Sequence, residues 1–434
     1  MARSVYSASG GALHLGCIAD DYTGATDLAS NLTEAGMRVV QTMGVPQEDT
    51  MVSADAVVIA LKSRTLPPHE AVEQSLQAHA WLKAQGARQI YFKYCSTFDS
   101  VYEGSQRGNI GPVIDALMTA CGAPMTIATP AFPANGRTVF KGHLFVGDTL
   151  LSESGMRAHP LTPMRESNLQ RVLQAQCGRK VGLLEYGVVR QGSDAIGAGL
   201  HALQAQGVEV VIVDALGDRD LMELGRAVKG FRLVTAGSGL ALGLPQNYGL
   251  SAARSARLPP PSGAQAIVSG SCSLATNTQV AHFLAQGLPA YRIQPSRVFA
   301  GEAVVEEALL WAASVVGTSP LLIYSTAGPD QIPAALSTPD AQRMGGMLES
   351  VLAQIAQGLV RIGVRQLLVA GGETSGACVQ ALQVQNLVVG PAVAPGVPWC
   401  HVPETAERPA LHLLLKSGNF GAVDIFTASF GVLQ

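Results

Sequence analysis

Asp20 and Asp21 stand side by side, directly after the apolar run Leu13 to Ala19, and Tyr22, Thr23, Gly24 and Ala25 then open an amphipathic stretch reaching Ala35. Adjacent carboxylates repel, so the doublet needs a cation, a proton or a ligand hydroxyl to compensate it. One of the two can also accept the proton of an attacking hydroxyl. The competing use of Asp21 or Thr23 is as the cap of the following helix, a common role for either residue type; the doublet favours chemistry, a single Asp the cap. A second polar group, Lys62, Ser63, Arg64 and Thr65, follows the apolar run Asp55 to Leu61. Its guanidinium is a planar fork that matches a carboxylate. A third, Lys93, Tyr94, Cys95, Ser96, Thr97, Phe98, Asp99 and Ser100, ends the run that begins at Gln89. Any one of these polar residues is as well explained by a surface loop. Three such loops, each carrying groups suited to a small hydroxy acid, favour a pocket.

The second half carries a different kind of candidate. No GxxxxGK[ST] phosphate cradle occurs in the chain. Gly371, Gly372, Glu373, Thr374, Ser375 and Gly376 instead follow the apolar run Arg365 to Ala370 and open an apolar helix. Ser269, Gly270, Ser271, Cys272 and Ser273 follow Ala266 to Val268, and Gly418, Asn419, Phe420 and Gly421 follow Leu411 to Leu415. Gly-rich turns at helix N-termini present amide donors to phosphate, although single glycines at strand ends more often serve tight turns. Gly237, Ser238 and Gly239 form only a lone GxG and read as a helix start. No acidic pair in this half marks a metal site.

Short Val-, Ile- and Leu-rich runs alternating with helix-like segments must position these loops, which is the pattern of parallel α/β units. Strands are expected near Leu13 to Ala19, Asp55 to Leu61, Gln89 to Tyr94, Met125 to Thr129, Val181 to Leu184, Val208 to Val213 and Arg232 to Thr235. Beyond residue 265 they are expected near Ala266 to Ser269, Leu321 to Ser325, Arg365 to Ala370 and Leu411 to Leu415. Between the halves, Arg254 and Arg257 precede Pro259, Pro260, Pro261, Ser262 and Gly263, an extended Pro-rich linker because proline fixes φ and lacks an amide proton. The fold expected is α/β in two domains, each a largely parallel sheet flanked by helices: residues 1–250, a linker at 251–264, and residues 265–434. In open sheets of this kind ligands lie beyond the carboxyl ends of strands, where all these loops fall.

Ile18-Ala19-Asp20-Asp21-Tyr22-Thr23-Gly24-Ala25, Lys93 to Ser100, and Gly108-Asn109-Ile110-Gly111-Pro112-Val113 resemble the four-carbon acid sugar kinase family. Cys95 and Phe98 are similar to its 3-oxo-tetronate branch rather than to the threonate and erythronate kinases. The resemblance runs on in one order through Thr129 to Arg137, Glu153 to Arg157, Ser269 to Ser273, Ala370 to Gly376 and Lys416 to Gly421. It departs from the family at Val101 to Arg107, where the chain is a few residues longer. What it implies is an acceptor-binding first domain, a nucleotide-binding second domain, and ATP with Mg²⁺ used to phosphorylate the terminal hydroxyl of 3-oxo-tetronate. Asp20, Asp21 and Lys93 would then be catalytic, and Thr23, Ser63, Arg64, Ser96, Thr97 and Asp99 would hold the acid, with Arg64 on its carboxylate. Ser269, Ser271, Gly371, Gly372, Glu373, Thr374 and Gly418 would hold the nucleotide, and domain closure would bring the γ-phosphate in line. A threonate or erythronate kinase and a non-catalytic sugar-acid sensor are the alternatives; a dehydrogenase is disfavoured by the absence of GxGxxG after the first strand.

Bulk properties are consistent with this. The 434 residues, 47% hydrophobic, are too many for one ordinary domain. A net charge of −3 without a basic run argues against nucleic acid. No apolar run approaches the ~20 residues of a membrane helix. Seven cysteines without CxxC spacing read as reduced thiols, and nine histidines without an HxxxH pair give little support for zinc. The N-terminal residues, with Arg3 but no continuous apolar segment, read as the start of a cytoplasmic protein. Partners expected are the sugar acid and ATP, with homo-oligomer formation left open.

Overall fold

A computed structural model describes residues 13–48, 50, 52–100, 108–158, 162–252, 258–326 and 339–433. The stretch Val101 to Arg107, and Arg254 and Arg257 of the expected linker, lie outside them. The chain divides into two compact units between residues 255 and 256.

The first unit holds β1 (Leu15–Ala19), β2 (Val39–Met43), β3 (Ala56–Ala60), β4 (Gln89–Lys93), β5 (Thr126–Thr129), β6 (Arg137–Phe140), β7 (His143–Val146), β8 (Thr149–Leu150), β9 (Val181–Leu184), β10 (Val210–Val213) and β11 (Leu233–Ala236). Its main sheet runs β2-β3-β1-β4-β11-β5-β10-β9, and every pairing within it is parallel. All five residues of β1 are buried, as expected of a central strand covered by helices on both faces. From β1 the chain passes through the helix Tyr22–Glu34 to β2 on one side. From β3 it passes through the helix Pro68–Ala84 and crosses β1 to reach β4 on the other. That reversal opens a crevice at the carboxyl ends of β1, β3 and β4. Ile18, Ile59, Phe92, Trp81, Leu82 and Ile114 share the core beneath it. Strands β6 to β8 form a small antiparallel sheet of their own.

The second unit holds β12 (Ala264–Ser269), β13 (Ala290–Arg292), β14 (Leu321–Tyr324), β15 (Val364–Ala370), β16 (Asn386–Ala394), β17 (Val397–Val402) and β18 (Leu411–Lys416), ordered β13-β14-β12-β15-β18-β17-β16. The first five strands of that order pair in parallel, whereas β18, β17 and β16 pair antiparallel. A crossing of β12 between β14 and β15 repeats the reversal seen around β1. Ile267, Leu368, Leu414, Phe283 and Trp399 form its core, and Trp399 Nε1 donates to Ser429 O at 2.8 Å. The proline segment is fixed to this unit: Leu258 packs against its core and the His412 ring lies 3.0 Å from Pro259 O.

Candidate active site

Three strand-end loops of the first unit meet around Asp20 and Asp21. The loop after β3 is folded onto β1 by backbone, with the amides of Ser63 and Arg64 donating to Asp20 O at 3.0 and 3.1 Å. Asn109 holds the same loop from the other side, its Nδ2 donating to Ser63 O, Arg64 O and Leu66 O at 2.8, 3.2 and 3.1 Å. Arg64 is thereby aimed at the doublet. Its Nε and Nη2 reach both oxygens of Asp20 at 2.9 Å, and Nη2 also donates to Asp21 Oδ1 at 2.5 Å. Lys93, at the end of β4, donates to Asp21 Oδ1 at 3.2 Å and lies 3.9 Å from Asp20. The compensation that two adjacent carboxylates require is therefore supplied by two cations of the chain itself, the half-buried Arg64 and the buried Lys93.

This arrangement alters the reading of Arg64. Its planar fork faces Asp20, and only Nη1 is turned elsewhere, 3.8 Å from Asp99 Oδ2. Asp99 in turn accepts from Thr97 Oγ1 at 2.6 Å. Thr97 lies 2.9 Å from the Cys95 sulfur. Burial pushes the Cys95 thiol up to about 11, so it is not a thiolate nucleophile near neutral pH. Phe98, between Thr97 and Asp99, has φ of 52°, a left-handed conformation that is costly for a bulky residue. Its ring packs edge-on against Tyr94 with centroids 5.2 Å apart, which holds the strained turn and keeps Thr97 and Asp99 on the Arg64 side. Ser96 is half-buried at the start of that turn, and Ser63 is buried behind Arg64.

Asp21 occupies the N-cap position of the helix Tyr22–Glu34, but its carboxylate is turned to Arg64, Lys93 and Thr23 Oγ1, the last donating to Oδ2 at 2.9 Å. The two aspartates differ in environment. Burial raises Asp20 above the usual carboxylate range against the pull of Arg64 and Lys93. For Asp21 burial acts in the same sense, but Arg64 and Lys93 outweigh it and hold the group well below that range. Burial opposes the charge of Lys93, which Asp21 and Asp20 more than restore, leaving its pKa raised. Gly24 permits the approach: a Cβ there would lie 1.6 Å from Lys93 Nζ and 2.2 Å from Asp21 Oδ1.

Asp27, unmarked in the sequence, and Ser238, which reads there only as part of a helix start, form a further layer. Ser238 Oγ donates to Asp27 Oδ2, and Asn31 Nδ2 donates to Ser238 O at 3.0 Å. Burial lifts Asp27 to about 6, partly opposed by Lys93.

In the second unit the three Gly-rich turns converge. A Cβ on Gly270 would lie 2.3 Å from Thr374 Oγ1, one on Gly371 2.9 Å from the same atom, and one on Gly418 2.5 Å from Ser271 Oγ. Gly371 has φ of 124° and its amide donates to Lys416 O at 2.8 Å. Gly372 then begins the helix Gly372–Ala381, with Glu373 exposed in its first turn. Ser269 Oγ pairs with Thr326 Oγ1 at 2.7 Å. Ser273 caps the helix Leu274–Ala285 and donates to Gly418 O at 2.6 Å. Amides and hydroxyls dominate here, a surface suited to phosphate oxygens.

Residues 15–244 match the family model described as a sugar-binding N-terminal domain, and residues 266–426 the model described as a nucleotide-binding C-terminal domain. The chain belongs to the four-carbon acid sugar kinase family, in its 3-oxo-tetronate kinase branch. It is 52% identical to the 3-oxo-tetronate kinase of Burkholderia multivorans over 97% of each chain, and 52% identical to that of Cupriavidus necator over 95% of each. The crystal structure of a Salmonella typhimurium LT2 protein superposes with a TM-score of 0.87 at 42% identity, covering 97% of this chain and all of that one.

Proposed function

We propose that the chain is a kinase that transfers the γ-phosphoryl group of ATP to the 4-hydroxyl of 3-oxo-tetronate, giving 3-oxo-tetronate 4-phosphate and ADP. The observation that carries the acceptor half is the Asp20–Asp21–Arg64–Lys93 constellation, present in a chain 52% identical to 3-oxo-tetronate kinases along nearly its whole length.

Asp20 commits both oxygens to Arg64 and is almost fully buried, so its role is to hold the guanidinium. Asp21 is the more exposed, its side chain 22% accessible against 6% for Asp20. Its Oδ2 carries only the Thr23 hydroxyl among the contacts described above. Asp21 Oδ2 orients the 4-hydroxyl and takes its proton as the oxygen bonds to γ-phosphorus and the bond from phosphorus to the bridging oxygen breaks. Phosphoryl transfer passes through a loose transition state and asks for positioning more than for a strong base, so a carboxylate held below its usual range suffices. Lys93 stabilises charge developing on the transferred group. The acid's carboxylate and oxo groups are held by Arg64 Nη1, Ser96 and Thr97.

The first unit takes the sugar acid. The second takes ATP, with Ser269, Ser271, Gly371 to Thr374 and Gly418 facing the phosphates. Among the described residues no group of three or more His, Cys, Asp or Glu is arranged to hold a metal. The Mg²⁺ expected with ATP enters with the nucleotide on phosphate oxygens and water.

ADP release should be followed with ATP, Mg²⁺ and 3-oxo-tetronate, threonate or erythronate in turn. The proposal expects turnover with 3-oxo-tetronate at a kcat/KM well above the other two. Preferred turnover of threonate or erythronate would reassign the substrate, and no ADP release with any of them would leave a binding protein.

A further inference from the structure

Lys416 ends β18 with a side chain that is completely buried. Its Nζ donates to Ser417 O at 2.9 Å, Gly418 O at 3.0 Å, Phe420 O at 3.1 Å and Thr276 Oγ1 at 3.2 Å. Three of these four acceptors are backbone carbonyls of the turn that carries Gly418. Gln279, from the helix Leu274–Ala285, closes the other end by donating to Phe420 O, Gly421 O and Ala422 O at 3.1, 3.0 and 3.1 Å. Among the described residues no carboxylate forms an ion pair with Lys416. A buried ammonium normally has one, because desolvation of the charge costs several kcal/mol and carbonyl dipoles offset only part of it. Here the turn that surrounds the ammonium has Ser271, Ser273 and Gly371 as neighbours.

We infer that Lys416 is a positioning residue for the nucleotide: it ties the 417–420 turn into the shape that sets Gly418 against Ser271, and its unpaired buried charge is completed by the polyphosphate. This rests on the reading of the second unit as the ATP site. Nζ is already surrounded by three oxygens of the turn and by Thr276 Oγ1, so Lys416 acts through the loop and through its field.

Burial alone, with no ionisable neighbour contributing, lowers the Lys416 pKa to about 7. A bound polyanion raises it again, so the nucleotide prefers the charged form. Binding must then weaken as pH rises above about 7, because part of the free protein has lost that proton. The nucleotide's own ionisation acts in the opposite sense, since deprotonation makes it more negative.

The test titrates the full-length protein with Mg²⁺·ADP by calorimetry from about pH 7 to about pH 9, and repeats it with Lys416→Met. The wild type is expected to lose affinity by about fivefold across that range, which is what one pKa unit of coupling gives when the titration starts with the group about half protonated. Lys416→Met, with its fold checked by circular dichroism, is expected to bind ADP at least about tenfold more weakly at pH 7, with no weakening at higher pH and an unchanged KM for the sugar acid. If Lys416→Met does not fold, the wild-type profile decides alone. ADP binding that is flat or tighter with rising pH in the wild type overturns the role of Lys416 while leaving the nucleotide site standing. Absence of ADP binding at every pH overturns both.

Discussion

The two constellations handle charge in opposite ways. Around Asp20 and Asp21 the chain gathers three carboxylates and two cations and pairs them internally through Arg64 and Lys93. Around Gly418 it gathers amides, hydroxyls and one buried ammonium without an ion-pair partner among the described residues. The first is pre-paired, so a small acid can enter by sharing existing bonds without leaving an orphaned charge. The second is incomplete in charge, which suits a polyanion. Similarly wound sheets thus carry opposite charge plans, so the strand-end side chains, not the topology, separate the two constellations.

Replacing Asp21 attacks the paired site most directly. Asp21→Asn is expected to lower kcat by about 10²-fold or more, the range of a positioned proton acceptor, with the KM for ATP unchanged in steady-state kinetics. Equal loss in both KM values would instead indicate a collapsed site. Gly24→Ala tests the spacing of the same site. A methyl group 1.6 Å from Lys93 Nζ forces the ammonium aside, and kcat is expected to fall by about tenfold while urea unfolding shows a change near 1 kcal/mol, because the displaced groups are flexible side-chain ends. Unaltered kcat would remove Lys93 from the mechanism.

At Asp27 the expected effect is on stability rather than on turnover. Its folded pKa of about 6 exceeds the ordinary carboxylate value, so the folded state binds more protons between those values. Stability from this group is greatest below about pH 4 and is lost as pH rises through about 6. Asp27→Asn should therefore stabilise the protein by about 2 kcal/mol near pH 7.5, from a shift of about two units at about 1.4 kcal/mol each with some loss to reorganisation. The gain should shrink toward pH 4 in urea unfolding. A gain that grows with acidity would reverse the assignment.

Much of this was legible in the chain because strand ends advertise themselves. Asp20, Lys93, Gly371 and Gly418 each follow an apolar run, and the structure brings each to the place such loops occupy. Two kinds of feature escaped. Pairings over long sequence distances are not written locally: the fork of Arg64 reads as free until Asp20, forty-four residues earlier, is folded onto it, and Asn109 and Ser238 carry no mark of the loops they tie. Lys416 reads as the polar end of an apolar strand, since a lysine after Leu411 to Leu415 looks solvated until its burial is seen. Among the strands, Val39–Met43 contains Gln41 and Thr42, while the hairpin Asn386–Val402 interrupts a parallel pattern with Pro391 and Pro398. Like the short strands β6 to β8 and β13, they lack the continuous apolar run that identified the rest.

Hydrogen exchange read by mass spectrometry, with ADP and 3-oxo-tetronate added separately, tests the division of labour most directly. ADP is expected to slow exchange in peptides covering Ser269–Ser273, Gly371–Gly376 and Lys416–Gly421, and 3-oxo-tetronate in those covering Asp20–Gly24, Ser63–Leu66 and Lys93–Ser100. Protection of the Asp20 loops by ADP alone, or of the Gly371 and Gly418 turns by the sugar acid alone, would contradict the assignment of acceptor and phosphate donor to these two units.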